Sequence, residues 1–259
     1  MSATATLGQA TTDTVVMTRR YLRHYLRTRN LLIISLAQPV MFVLLWTYVF
    51  GGAVRLPGVR YIDYLMPGIM VLAIGFGSAT AGIGLAEDLT RGMIDRFRAL
   101  PMAPPALLAG RTLSDAVRNT FVVLLMIAVG YAAGFRIHTG PAAALGAIAL
   151  AVSTGYVMSW FSALIGLAVG DPETAGTASI LPIIVLSFTS SSFVPVHTMP
   201  GWLQIWASHS PITYIVDALR ALTTGGPTTR PLLTAITWLL TLLAVAVTLA
   251  VRRYRHATR

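Results

Sequence analysis

The chain has 259 residues and contains neither cysteine nor lysine. Without cysteine there are no disulfides, no thiolate metal ligands and no thiol nucleophile. Without lysine the phosphate-binding loop GxxxxGK[ST] cannot be written. If ATP drives this protein, a different subunit binds it. Charge is scarce as well: only 11% of residues are Asp, Glu, Lys or Arg, and 9 of these are acidic. There is no HExxH, no acidic pair at metal-ligand spacing, and no Gly-x-Ser element beside an intramembrane histidine.

What the chain has in abundance is apolar surface. Hydrophobic residues make up 55% of it and the mean hydropathy is +0.71. Several runs reach the roughly 20 apolar residues that cross a hydrocarbon core of about 30 Å. The fold class expected is all-α and integral to the membrane, with six transmembrane helices. The net charge of +10 comes from 19 arginines. Where they lie matters more than their sum; an all-arginine basic set with abundant alanine also looks like GC-rich coding bias.

In chain order, residues 1–12 are small and polar, with no charged segment leading into an apolar core. They are expected to be a disordered tail. Residues 13–30 form an amphipathic helix, with Val15, Thr18, Tyr21, Leu22, Tyr25 and Leu26 on one side. Arg20, Arg23, His24 and Arg27 lie on the other, and Arg19 sits at the border. Such a helix lies in the membrane interface; a plain charged flank is the competing reading. Span one is 31–50, irregular at Gln38-Pro39. Span two is 64–86, with Pro67-Gly68 in its first turns and a small-residue surface, Gly75 to Gly84, that permits close helix approach. Residues 106–118 are helical, with Arg111 and Asp115 spaced as an i,i+4 pair, and lead into span three at 119–135. Span four is 141–169. Span five is 174–194, ending in the hydroxyl cluster Ser187, Thr189, Ser190, Ser191 and Ser192. Proline and glycine break residues 195–230 into short helices that dip into the interface. Span six is 231–251, followed by the basic tail 252–259.

The longest charged interruption is EDLTRGMIDRFRALPMAPPALLAGRTLSD, from Glu87 to Asp115. Leu89, Met93, Phe97 and Leu100 share one face if the piece is helical, and Pro101 ends it. An apolar ridge among Glu87, Arg91, Arg96 and Arg98 fits a docking element for a soluble partner; a solvated loop is the competing reading. With both termini inside, 14 arginines fall on the inner side and 5 on the outer, as the positive-inside rule requires. On these boundaries no span centre holds Asp, Glu or Arg, and no histidine lies within a span. That disfavours an intramembrane protease, a metal-dependent lipid transferase and a proton-coupled carrier. A loop-borne enzyme site remains open, because Asp63, His197, His209 and Asp217 could converge outside. An ATP-independent carrier or channel remains open too.

Three stretches, in order, resemble the membrane subunit of type-2 ABC exporters, especially the daunorubicin-resistance-like permeases. They are Tyr64-Leu65-Met66-Pro67-Gly68; Arg96 to Pro101 with Gly110-Arg111 and Asp115; and Ser192-Phe193-Val194-Pro195 followed by Met199-Pro200-Gly201-Trp202-Leu203, Ser210-Pro211-Ile212-Thr213-Tyr214 and Asp217-Ala218-Leu219-Arg220. Ser210 departs from the asparagine more usual there, although serine can also cap a helix.

The resemblance implies a non-catalytic half-transporter in the bacterial cytoplasmic membrane, both termini cytoplasmic. Its partners would be a second permease copy or sister permease and two copies of an ATP-binding subunit that holds ATP and Mg2+. It implies that Glu87 to Leu100 is the coupling helix docking on that subunit. It implies that Pro195, Met199, Pro200, Trp202, Pro211, Tyr214, Asp217 and Arg220 belong to external re-entrant helices. The ridge would carry closure of the ATP-binding subunits to spans two and three. A pathway between protomers, lined by spans one, two and five, would then open outward. Gln38, Ser78, Ser187, Thr189 and Ser191 are its candidate lining, and hydroxyls and aromatics suit an amphiphilic drug or lipid. No cofactor is expected on this chain and no nucleic acid as partner.

Overall fold

The computed structural model describes residues 7–27, 29–49, 51, 58–93 and 104–256. Nine α-helices are present among them: α1 Leu7–Arg27, α2 Arg29–Tyr48, α3 Tyr61–Thr90, α4 Pro104–Ala132, α5 Pro141–Val169, α6 Pro172–Phe188, α7 Gly201–His209, α8 Pro211–Thr224 and α9 Thr229–His256. A 3₁₀ turn, Val196–Thr198, precedes α7. No strand occurs among the described residues. Four helices are long and apolar enough to cross a membrane: Tyr61–Thr90, Ala106–Ala132, Pro141–Val169 and Thr229–Tyr254. Two shorter apolar helices, Ser35–Tyr48 and Pro172–Phe188, accompany them.

Helix α3 is the centre of the bundle. It packs against α2, α4, α5, α6 and α8, most extensively against α5. Its composition explains this position, since Ser78, Ala79, Ala81, Gly82 and Gly84 leave little side chain between backbones. At the α3–α5 crossing, a Cβ on Gly82 would collide with the Ser162 carbonyl, and one on Gly166 with the Gly82 carbonyl. Helix α3 buries 78% of its most apolar window, against 17% for α9. Leu233, Leu240 and Leu249 of α9 therefore stay exposed, as suits a helix at the rim of a membrane bundle.

Several boundaries differ from the sequence expectations. Helix α1 begins at Leu7, so the expected disordered tail 1–12 loses its second half to helix. Its buried face is Met17, Thr18 and Tyr21, while Val15 and Val16 are exposed. The face turns because α1 packs on α4 instead of lying alone. Helix α4 runs unbroken from Pro104 to Ala132, so the helical stretch expected at 106–118 does lead into the next apolar run, and the apolar helix spans Ala106–Ala132 where 119–135 was expected. The expected helix Glu87–Leu100 is interrupted: Glu87 to Thr90 are the last turn of α3, Arg91 is its C-cap, and Gly92 has φ +62°. Arg96, Phe97, Arg98 and Leu100 lie outside the described residues. Helix α6 stops at Phe188, short of 194, and the hydroxyl cluster is non-helical from Thr189. Helix α9 continues through Arg252 and Arg253, so the basic tail begins as helix. A helix at Pro141–Val169 and short helices broken by proline after Pro195 stand where helices were expected.

Candidate functional site

Midway along α4, a charged cluster is buried where none was expected. Arg118 is 7% exposed and Asp115 2%. Their ion pair spans 3.6 Å. The Arg118 guanidinium also donates to the Tyr25 hydroxyl at 2.5 Å, to Thr80 Oγ1 at 2.7 Å, and to the Gly77 carbonyl and Asn119 Oδ1. A Cβ on Gly77 would sit 3.1 Å from an Arg118 nitrogen, so the bare glycine gives the guanidinium its room. Asn119 Nδ2 reaches Ser78 Oγ at 3.4 Å, and Ser78 donates to the carbonyls of Ile74 and Gly155. Helices α1, α3, α4 and α5 thus meet at one polar knot. Asp115 Oδ2 has no hydrogen-bond partner there. A buried charge persists only where a counter-charge and hydrogen bonds offset its desolvation. Arg118 has both.

The expected i,i+4 pair of Arg111 with Asp115 does not form. Asp115 pairs with Arg118, one helical turn later, because Arg111 turns to α3 and donates to the Thr80 carbonyl at 2.8 Å. Arg111 and Arg118, counted among the arginines expected on the inner side, thus lie inside a long helix.

Two cavities border the knot. The smaller, about 110 Å³, is lined by Gln38, Ser35 and Pro39 of α2 together with Phe76, Gly77, Thr80, Arg118 and Asn119. That is below the roughly 300 Å³ of a drug-sized pocket. Gln38, an expected pathway residue, does face a cavity here. The larger, about 330 Å³, lies between α1, α3 and α4 and carries Arg20, Tyr21, Glu87, Asp88, Arg91, Arg111 and Asp115. Tyr21 donates to Asp88 at 3.0 Å, and Arg111 lies over its ring at 4.8 Å. Burial, then the facing Asp88 carboxylate, push the Tyr21 hydroxyl well above the usual phenol range. Glu87 pairs with Arg91 at 3.4 Å on the surface, and Leu89 packs against the buried cluster that includes Leu85 and Tyr254.

At the other end of the bundle, the broken segment is tied to α3. Arg220 of α8 lies 3.7 Å over the Tyr64 ring and donates to the carbonyls of Tyr64 and Ser191 and to Asp217 Oδ1 at 2.7 Å. Ser191 Oγ donates to the same Asp217 oxygen, and Tyr64 donates to the Ser191 carbonyl. Planar guanidinium geometry allows this fork to several acceptors. Ser191 is therefore a tie between α6, α8 and α3. Ser78 likewise bonds two helices instead of facing a cavity. Thr189 accepts from Trp206 Nε1 at 3.1 Å. Ser187 Oγ is buried without a partner. Pro195 and Pro200 are the N-caps of the 3₁₀ turn and α7, and Pro211 opens α8. Ser210 is the N-cap of α8 but makes no capping bond, its Oγ being buried and unpartnered. Met199 is buried, Tyr214 half-buried, and Trp202 73% exposed.

The four groups considered for an external enzyme site do not bond to one another. Asp63 takes Arg60, the Arg136 amide and His138, Asp217 takes Ser191 and Arg220, and His209 meets Ser208 and the Ile205 carbonyl.

Arg118, Asn119 and Tyr21 were missed as site residues. A signal existed: Arg111, Asp115, Arg118 and Asn119 fall at i, i+4, i+7 and i+8, one stripe of one helix.

The family description ABC-2 type transporter matches residues 12–223. The daunorubicin resistance ABC transporter permease protein DrrB1 of Streptomyces coeruleorubidus is 34% identical over 187 residues, 72% of this chain and 66% of its own length. The probable doxorubicin resistance ABC transporter permease protein DrrC of Mycobacterium tuberculosis (strain ATCC 25618 / H37Rv) is 26% identical over 250 residues, 95% of this chain and 89% of its own. The putative transport permease ycf38 of Pyropia yezoensis is 24% identical over 188 residues, covering 69% and 64%. With most of its length matched in order and its long helices this apolar, the chain is a multi-pass membrane permease belonging to the ABC-2 type transporter family.

Proposed function

We propose that this permease is the membrane half of an ATP-driven exporter that moves a hydrophobic or amphiphilic substrate (a drug, an antibiotic or a lipid) out across the bacterial cytoplasmic membrane. Helices α2, α3, α4, α5, α6 and α9 cross the bilayer with both termini cytoplasmic. ATP and Mg2+ are held by a separate ATP-binding subunit, two copies of which serve two permeases. Glu87 to Leu100 docks on that subunit, its path beginning in the last turn of α3. The segment from Pro195 to Arg220 lies on the external side. Gln38, Ser187 and Thr189 line the path, and Ser78 and Ser191 hold the helices beside it. The observation that carries this is the match of residues 12–223 to the ABC-2 type transporter family, whose relatives are named as drug-resistance permeases.

The chemistry on this chain is mechanical. Helix α3 runs unbroken from Asp63 to Glu87, so movement at its inner end reaches Tyr64 and the Arg220 fork at the other. Coexpression with the neighbouring genes and purification in mild detergent should bring down a soluble subunit with ATPase activity. Phe97→Asp should abolish that association while the chain still inserts. A purified chain that moves solute without nucleotide or partner would replace the exporter with an ATP-independent carrier.

A further inference from the structure

The cavity between α1, α3 and α4 holds separated charges of both signs. Tyr21 stands between them, its hydroxyl on Asp88 and its ring under Arg111. Neither Asp88 nor Arg111 forms an ion pair among the described residues. Arg20 and Asp115 line the same wall, and Asp115, 2% exposed, leaves Oδ2 without a hydrogen-bond partner. A single anion would satisfy the guanidinium and face the carboxylates; a single cation would do the reverse. A zwitterion satisfies both. The high proton affinity of the Tyr21 hydroxyl keeps it a donor to Asp88, which leaves the other carboxylate oxygen to accept from a ligand.

The cavity shares Ile83 with a groove of about 620 Å³ on α3 and α6, almost wholly apolar and lined from Pro172 to Ile184. Those positions span about 18 Å of helix rise, close to half of a hydrocarbon core of about 30 Å. A charged head in the cavity can thus extend an acyl chain one leaflet deep.

We propose that this cavity binds the headgroup of a phospholipid bearing a primary ammonium, the phosphate between Arg20 and Arg111, the ammonium between Asp88 and Asp115, and a chain leaving past Ile83. The assignment rests on the orientation given above, which puts the end of α3 at the cytoplasmic leaflet, and not on transport. An ammonium donates hydrogen bonds to the carboxylates; a trimethylammonium cannot. Guanidinium–phosphate bonds are charge-assisted and hold either lipid.

The test is native mass spectrometry of the full chain, purified with its ATP-binding subunit and equilibrated with phosphatidylethanolamine, phosphatidylcholine and phosphatidylglycerol of identical acyl chains. The ethanolamine lipid should be retained over the choline lipid by about tenfold, the worth of one charge-assisted hydrogen bond. Asp88→Asn should erase most of that preference, and Arg111→Gln should lower retention of all three lipids. Tyr21→Phe keeps every charge and should reduce the preference partially, which separates recognition from a folding defect. Equal retention of the ethanolamine and choline lipids by the unsubstituted chain would overturn the assignment. So would dodecylammonium, which has no phosphate, binding as well as the ethanolamine lipid, since the cavity would then serve an amine cargo. Coupling of ATPase activity is measured separately, so failure of the exporter function leaves this result standing.

Discussion

The Arg118 guanidinium donates to the Tyr25 hydroxyl at 2.5 Å, joining the middle of α4 to the end of the helix that precedes α2. The same guanidinium holds Gly77 and Thr80 of α3. One side chain thus ties an amphipathic helix to two long apolar ones from a buried position, where an uncompensated charge is costly.

Arg118→Leu should therefore destabilise strongly, because it strands the buried Asp115 carboxylate. Loss of one partner of a buried pair costs about 3–5 kcal/mol. The double substitution Asp115→Asn with Arg118→Leu should recover part of that. Thermal unfolding in detergent, followed by loss of monodispersity, reads both; a double variant no better than the single would show that the pair's charge is not the cause.

The α3–α5 crossing should tolerate no side chain at Gly82. Gly82→Leu has to push the Ser162 backbone away, and overpacking of this kind costs about 1–3 kcal/mol. Gly176→Ala is the comparison, since its Cβ would meet only the Ile83 side chain, at 3.2 and 3.3 Å, and no backbone. Melting temperatures of the two variants should differ clearly, with Gly82→Leu the lower.

Arg220→Ala should loosen the segment from Pro195 to Thr224 by removing bonds to two carbonyls and one carboxylate. A charge-assisted hydrogen bond is worth about 1.5–3 kcal/mol, and Arg220 is only 16% exposed while Asp217 is 40% exposed, so solvent screening brings the pair contribution to the lower end. Limited proteolysis around Gly225 should quicken. Arg220→Lys should not restore protection, because a point ammonium cannot fork between Tyr64 and Ser191.

Asp171 caps α6 by accepting from the Thr174 hydroxyl and amide. These bonds, the side-chain one first, hold its carboxyl below the usual range. A lowered pKa means the capping contribution is complete above the unfolded-chain value and is lost as pH falls through the folded one. Protection of the Thr174 amide, its exchange taken relative to the intrinsic rate at each pH, should fall on acidification through that window. Asp171→Ala should remove that protection at every pH; unchanged protection in that variant would show that the cap does not hold the first turn.

Much of this was legible in the composition. Hydropathy gave the membrane class, and the run from Pro141 to Val169 read directly as one helix because glycine or proline marks both of its ends. The breaks at Pro195, Pro200 and Pro211 were legible for the same reason. The span within α4 was started only after Arg118, because charged residues were placed outside the apolar runs. Only packing shows that Gly77, Thr80 and Tyr25 make that arginine tolerable inside the helix. The ridge Leu89, Met93, Phe97 and Leu100 assumed continuous helix through Gly92, whose positive φ was invisible to spacing.

The amino-acid sequence by itself determined that this chain is helical and membrane-embedded, and that its 259 residues hold no lysine from which a phosphate loop could be written. Those properties follow from composition and local chemistry, which no partner can alter. The tertiary structure alone decided which polar residues share a site. Arg118 finds Tyr25 and Gly77 across 93 and 41 positions of chain, and Arg220 finds Tyr64 across 156. Contacts so distant in sequence depend on how helices cross, and the small residues of α3 set those crossings by letting backbones meet.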